Sequence, residues 1–433
     1  MANTFQHLAL MLRTYGYRFT FKQLMAKFYN RFIASRTASA SSWRTIGSFP
    51  TRTSVRGRPI RVVFFLESPE SWDSFASVWK AMQGDNQRFD PVVVCLKNYP
   101  QTVPEPMTRL TEESVPFVTQ SFYSLDCHKP DVAFFHKQYD NNKHAHFRAS
   151  YVLRKTPRLA FISYGFPIGG GPMRIVSQFN YPLQQFAWRV YVHSNVFKAL
   201  FGRYCSAGNH HVRVVGHPMV DALMEMNENT ADKEMAKWCS SRIPILWNPH
   251  YCETANHDDC STFLRWKTLL MGEFQKRKTM ALIVRPHPRL FSHLVRYGLM
   301  TDGEIRSFVK RIEESDNMLL DQRSDYRHAF FVSRALMSDV SSFLTLYPAT
   351  GKPVLYLRNA KGPGLNENGG IVRGFYNGES AEEISAFLDM IERNEDPLRD
   401  KRNNLLREYL HMPSEGAGKV IAEDVFLSVS EGR

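Results

Sequence analysis

Two short segments in the second half of the chain carry residue types suited to handling phosphate. In RALMSDVSSFLTLYPATGKPVLYL a short apolar run ends at Ser338 and Asp339, and a helix is predicted to begin at Ser341 or Ser342. A helix N-terminus presents unpaired backbone N–H groups and the positive end of its dipole, which together favour an anion. One serine is what an ordinary N-cap needs, whereas two hydroxyls behind an aspartate point to the phosphates of a ligand. In ALIVRPHPRL, Arg285 and His287 follow directly on a buried-strand pattern, with Pro286 and Pro288 stiffening the loop. A guanidinium there can neutralise phosphate charge, and an imidazole can donate a proton to a departing oxygen. Either residue alone has an ordinary surface role; with an anion-binding helix start in the same half, they form a candidate site.

The first half offers looser candidates. RLAFISYGFPIGGGP places Tyr164 and Gly165 at a strand end before a glycine-rich loop, and YVHSNVFKALF places His193 and Ser194 likewise. VVGHPMVDAL puts Gly216, His217 and Asp221 after another strand, and His136 closes DVAFFH. Gly169, Gly170 and Gly171 leave room for a ligand, but without a helix start behind them they read as a flexible loop on the acceptor side. Cys252, His257, Asp258 and Cys260 share one polar loop; their C-x4-H-x2-C spacing matches no common zinc framework, so no metal site is expected.

The elements that must position these residues alternate. RVVFFLES, PVVVCL, DVAFFH, RLAFIS, RVYVHS and VRVVG read as buried strands separated by helix-competent sequence such as SWDSFASVWKAM. After a polar helical stretch at 226–241, a second set follows: IPILWNP, ALIVRPHP, NMLLD, RALMSD and KPVLYL, with helices at 303–315 and 381–394 and a glycine-rich loop at 362–374. This rhythm predicts an α/β chain of two Rossmann-like domains, each a parallel sheet covered on both faces, facing a cleft. The expected units are a basic arm and linker at 1–60, a first Rossmann-like domain at 61–225 and a second at 226–433. Ligands of open parallel sheets bind outside the carboxyl ends of the strands, where the candidates above lie.

Taken in order, SYGFPI, HSNVFKALFG, GHPMVDAL, WNPHY, RPHPRLF and SDVSSFL with GKPVLYL resemble the CDP-glycerol glycerophosphotransferase family, the teichoic-acid and capsule polyol-phosphate transferases. The likeness runs from about Arg61 to Arg393, and RPHP with SDxSS is its most specific part. The resemblance implies a GT-B architecture at the cytoplasmic face of the membrane. It further implies transfer of a polyol phosphate from a CDP-linked donor to a hydroxyl of a glycan or lipid-linked acceptor, with release of CMP. By position it makes His287 an essential histidine and Ser341 and Ser342 the donor-phosphate serines. The family's other essential histidine, in a Trp-His-Gly-Thr-Pro motif, falls on Tyr164 of Tyr-Gly-Phe-Pro here. His136 and His193 are therefore candidate replacements. The expected set is His287, Asp339 and Tyr164 for catalysis, Arg285, Ser341 and Ser342 for donor phosphate, and His136, His193 and Gly165 on the acceptor side. No cofactor is expected beyond the CDP-linked donor as substrate; a divalent metal requirement stays open.

Charge is distributed unevenly over the 433 residues. Residues 1–60 hold ten of the 55 Lys and Arg and none of the 42 Asp and Glu, so the rest of the chain carries 45 minus 42, or +3 of the total +13. That near-neutral body argues against a nucleic-acid partner. Within the arm, Phe21, Leu24, Met25, Phe28, Phe32 and Ile33 recur at helical spacing, with Lys22, Lys27 and Arg31 largely between them. Such a helix either packs on the body or lies on an anionic membrane, where each basic residue contributes about 1 kcal/mol. Scattered cysteines without a C-x-x-C pair, and no leader with a continuous apolar core, predict a reducing, cytoplasmic setting with peripheral attachment. Two other functions fit the same residues: a GT-B glycosyltransferase using a nucleotide sugar, and a non-enzymatic membrane-surface scaffold.

Overall fold

The computed structural model describes residues 52–97, 107–140, 143–251 and 261–432. The expected amphipathic arm helix and the Cys252 to Cys260 loop lie outside these residues.

Two parallel sheets account for the described strands. The first contains β1 (Ile60–Leu66), β2 (Phe89–Cys95), β3 (Phe117–Thr119), β4 (Val132–Phe135), β5 (Leu159–Ile162), β6 (Arg189–Val192) and β7 (Val212–Val214), ordered β3-β2-β1-β4-β5-β6-β7. The second contains β8 (Ile243–Asn248), β9 (Met280–Val284), β10 (Met318–Leu320), β11 (Ala335–Ser338), β12 (Val354–Tyr356) and β13 (Tyr376–Asn377), ordered β10-β9-β8-β11-β12-β13. Both are doubly wound, with the order reversing beside β1 and β8. Every long apolar run in the sequence became a strand; β3, set between Pro116 and Gln120, and the two-residue β13 did not stand out because neither belongs to a long apolar run.

Burial on both faces explains the unbroken apolar runs. In β1, Phe64 joins one core layer and Phe65 the opposite layer, and both are fully buried. Each such phenyl ring contributes on the order of 1.5–3 kcal/mol. Trp247 and Phe263 stack at 5.6 Å in the corresponding layer of the second sheet.

Three local expectations are corrected. The SWDSFASVWKAM segment is not one helix: Pro69–Ser74 is a tight 3-10 turn and the α-helix is Ala76–Gln83. The polar stretch 226–241 is helical only at Lys233–Cys239, because the Asp232 carboxylate accepts the Met235 N–H and caps the helix there. The glycine-rich 362–374 segment holds a 3-10 run, Glu367–Gly374, capped by Asn366.

The chain crosses from the first sheet to the second near Gly216, whose φ of +84° a Cβ would strain. It then crosses back. The closing helix, Ala417–Ser430, was expected in the second domain, yet Ile421, Ala422, Val425 and Val429 complete the core of the first. The Asp221 carboxylate accepts the Ala417 and Gly418 N–H groups and fixes the start of that helix. Gly418 admits the backbone of Ser77 so closely that no side chain would fit.

Candidate functional site

The strand ends of the two sheets meet across a cleft, and the two halves are joined both by a shared apolar cluster, to which Phe166 and Ile168 of the first and Leu344 and Tyr347 of the second belong, and by polar contacts. From the second sheet, His287 follows β9. Its backbone N–H donates to Pro249 O and its Nδ1 accepts the Arg289 N–H at 3.1 Å. With Nδ1 accepting, the imidazole proton belongs on Nε2. The ring packs among His250 (4.8 Å between centroids) and Tyr251 (4.5 Å). Burial, then the neighbouring His250, Arg289 and His293, holds the His287 pKa well below the usual histidine range. His287 is thus a neutral imidazole presenting an Nε2–H donor.

The other predicted residues of this half have protein partners. The Arg285 guanidinium pairs with the buried Asp321 carboxylate at 2.5 Å and donates to Arg323 O, bracing β9 against the end of β10. Asp339, fully buried, accepts the His250 N–H and the Thr262 N–H, both at 2.7 Å, and the Thr262 hydroxyl. It therefore ties together both sides of the 251–261 segment and acts as a positioning residue. Ser341 Oγ accepts the Phe343 N–H at the start of the short helix Phe343–Leu346, which leaves its own O–H to donate. Ser342 Oγ crosses to the first half, where it accepts the Phe166 N–H at 3.1 Å.

That contact explains Gly165. A Cβ at this position would stand 2.7 Å from Ser342 Oγ, so glycine is needed for the two halves to approach. The GGG segment works the same way. Gly170 donates its N–H to Gly364 O, Gly169 bridges Leu365, and a Cβ on Gly170 would be 2.8 Å from Pro363 O. The glycines admit the second domain's backbone, and, against expectation, a helix (Pro172–Phe179) starts directly behind them.

On the first sheet, Tyr164 is 40% exposed beside the ammonium of Lys137, whose Nζ lies 5.6 Å from the ring centroid. His136 and His193 are each at most 1% exposed. His136 Nε2 accepts the Glu67 N–H at 3.0 Å, and His193 Nε2 donates to Asn368 Oδ1 at 3.2 Å. Burial lowers both pKa values, that of His193 to about 3. His217, whose Nδ1 caps the helix Pro218–Met224 and whose Nε2 donates to Ser163 O, is lowered to about 4 by burial. These three are neutral, internally bonded histidines.

Several residues were missed at the sequence level. Glu67 and Ser68 follow β1, Lys137 follows His136, and Lys143 lies a turn further on. Glu67 is 1% exposed beside Lys143 (3.3 Å), and burial raises its pKa. Lys143 also donates to the carbonyls of Lys137 and Tyr139. Their signal was position directly after a buried strand. A cavity of about 520 Å³ lies where the chain crosses between sheets, lined by residues including His217, Asp221, His411 and Lys419, but not by His287 or Ser341.

No family model matches the sequence, and no curated protein matches it. Solved structures do match in fold. A putative UDP-N-acetylglucosamine 2-epimerase from Listeria monocytogenes aligns with a TM-score of 0.61 at 12% identity, over 86% of this chain and 97% of that one. The UDP-GlcNAc 2-epimerase from Neisseria meningitidis, solved with UDP-GlcNAc bound, gives 0.58 at 16% identity over 85% and 100%. The wall teichoic acid polymerase TagF gives 0.57 at 12% identity over 95% and 98%. Likeness at this identity establishes architecture: the chain is a pair of Rossmann-like domains in a GT-B-like arrangement.

Proposed function

We propose that this protein is a transferase that moves glycerol phosphate, or a related polyol phosphate, from a CDP-activated donor to a hydroxyl of a cell-surface glycan or lipid-linked acceptor. The observation that carries the reading is His287: a half-buried, neutral imidazole at the end of β9, with Nδ1 pinned by its own loop and Nε2–H left for a ligand. The RPHP and SDxSS segments, which resemble those of the glycerophosphotransferases, and the fold shared with TagF support the donor class.

In this reading the donor's phosphates lie between His287 and the Ser341 hydroxyl. The acceptor oxygen attacks the distal phosphorus, the bond between that phosphorus and the bridging oxygen breaks, the acceptor proton passes to solvent or a neighbouring base, and CMP leaves. Phosphoryl transfer asks mainly for positioning and charge stabilisation. Nε2–H of His287 and Oγ–H of Ser341 stabilise the developing charge, Tyr164 orients the acceptor hydroxyl, and Asp339 holds the His250 segment beside the site. The basic arm keeps the enzyme at the cytoplasmic face of an anionic membrane, where a lipid-linked acceptor resides.

A second reading, transfer from a UDP-sugar, is supported by the UDP-GlcNAc bound to the Neisseria meningitidis neighbour. A donor panel separates the two. CMP released from CDP-glycerol or CDP-ribitol in the presence of polyol acceptors, and lost in His287→Ala, is the expected result; release of UDP from UDP-sugars alone overturns it.

A further inference from the structure

The two halves are held together differently at their two sides. Beside the crossings the contacts are hydrogen bonds: the Phe166 N–H to Ser342 Oγ at 3.1 Å, the Asn366 N–H to Ile168 O at 2.8 Å, and the His411 N–H to His193 O at 2.7 Å. Toward the opposite edge of the first sheet, Arg109 and Glu113 lie in the connection between β2 and β3, and Asp73 follows β1. They meet Asp325 and Arg327, which follow β10, the edge strand of the second sheet.

Among the described residues, each guanidinium of this cluster donates hydrogen bonds only within its own half. Arg109 donates to Asp73 Oδ1 at 2.5 Å, to Glu113 Oε1 at 3.0 Å and to Pro69 O at 3.2 Å, and Arg327 donates to both oxygens of Asp325. Between the halves there are only longer charge contacts: Arg327 to Glu113 at 3.5 Å and to Asp73 at 3.8 Å, and Arg109 to Asp325 at 4.0 Å. Asp73 Oδ2 on one side and the Tyr326 hydroxyl on the other are buried without a hydrogen-bond partner among the described residues. A buried polar atom left unpaired costs free energy that water would recover. Parting the halves at this edge therefore leaves each guanidinium with a carboxylate of its own, breaks none of its hydrogen bonds and wets the orphaned oxygens, so it avoids the penalty of an uncompensated buried charge.

We propose that this charge cluster is a reversible latch across the mouth of the cleft: the halves part at Asp73 and Arg327 while the hydrogen-bonded side beside the crossings serves as the pivot. Opening admits ligand to the cleft bordered by His287 and Tyr164. The latch does not depend on which group the site transfers.

The test uses the full chain, with Arg327→Gln from one half and Glu113→Gln from the other. Both side chains are only partly buried, so both variants should fold. Small-angle scattering should show a larger radius of gyration in each variant than in wild type. Hydroxyl-radical footprinting should show Tyr326, 4% exposed in the closed form, oxidised at least about threefold faster, as the population shifts toward the open form. Trp247 and Phe64, inside the separate cores, should keep their wild-type rates. Arg327→Lys, which keeps the charge but not the fork, should fall between wild type and Arg327→Gln. Scattering and Tyr326 oxidation unchanged in both variants would overturn the proposal. So would Tyr326 oxidation that rose only together with that of Trp247 and Phe64, which reports unfolding. Neither readout involves a nucleotide, so a chain that released none from any donor would refute the transferase and leave the latch standing.

Discussion

Asp73 of the first domain and Arg327 of the second stand 3.8 Å apart, inside a buried cluster that joins the two halves. Asp73 is fully buried and pairs with Arg109 at 2.5 Å, and Arg109 reaches Asp325 at 4.0 Å. Arg327 closes the ring on Asp325 and Glu113. Removing one member of a buried pair leaves the other charge uncompensated, at a cost of about 3–5 kcal/mol. Arg109→Met should therefore destabilise the protein by that amount in urea titration. Arg327→Gln, more peripheral, should cost less and chiefly loosen the two domains, read as faster proteolysis at the crossing near residues 216–226.

The Gly165 and Ser342 contact predicts a coupling. Gly165→Ala places a methyl group 2.7 Å from Ser342 Oγ, an overpacking of about 1–3 kcal/mol. Ser342→Ala removes that oxygen but leaves the Phe166 N–H without its partner, about 1–3 kcal/mol. In Gly165→Ala with Ser342→Ala the obstruction is gone, since the Ser342 Cβ is at 3.5 Å. The double variant should then melt at least as high as the less stable single variant. Strict additivity in that cycle would show that the contact is not the controlling one.

His287 should act as a neutral hydrogen-bond donor across the working range. Its pKa is pushed below the usual value of about 6.5, so no acidic limb near pH 6.5 in the kcat/KM profile should be traceable to it. His287→Ala should lower kcat and kcat/KM together by roughly 10²-fold, whereas His287→Asn, which keeps an N–H donor, should lose less. A limb at about pH 6.5 that vanished in His287→Asn would contradict the assignment.

Buried neutral histidines make the fold sensitive to acid. For His217 the folded pKa is about 4 and for His193 about 3, both below the unfolded value of about 6.5. Below pH 6.5 the unfolded chain binds protons that the folded chain refuses, so stability is full above that value and falls as pH drops toward 4 and 3. At pH 5 each histidine should have lost about 2 kcal/mol by linkage. Urea midpoints at pH 7 and pH 5 should differ accordingly, and His217→Gln should flatten the slope. Equal midpoints would mean that these rings are solvated.

The arm prediction concerns residues 1–60. Six basic residues without an acid in 1–36 should carry the chain to vesicles containing anionic lipid at low salt and release it as salt shortens the Debye length below about 8 Å. Flotation of the full chain with such vesicles should disappear when residues 1–36 are removed, while the melting temperature stays unchanged. A lowered melting temperature with unchanged partition would place the Phe21 to Ile33 stripe on the body instead.

Local chemistry was enough to determine the alternation of strands and helices, the division into two parallel sheets and the placement of His287 and Tyr164 at strand ends. Runs such as VVFFL and ALIVR carry those features in neighbouring residues, because a strand buried on both faces must be apolar along its length. The tertiary structure alone decided which strand-end side chains stay available. Arg285 looks free in RPHP until Asp321, 36 positions later, neutralises it; Ser342 looks like a phosphate ligand until the backbone of Phe166, 176 positions earlier, engages its hydroxyl both as acceptor and as donor. His136 and His193 look like bases until the packed sheet excludes water from them. The closing helix looks like part of the second domain until Asp221 captures its N-terminus for the first. Each of these outcomes depends on partners brought together by long-range packing, and pairing over such separations leaves no periodicity or spacing for the sequence to display.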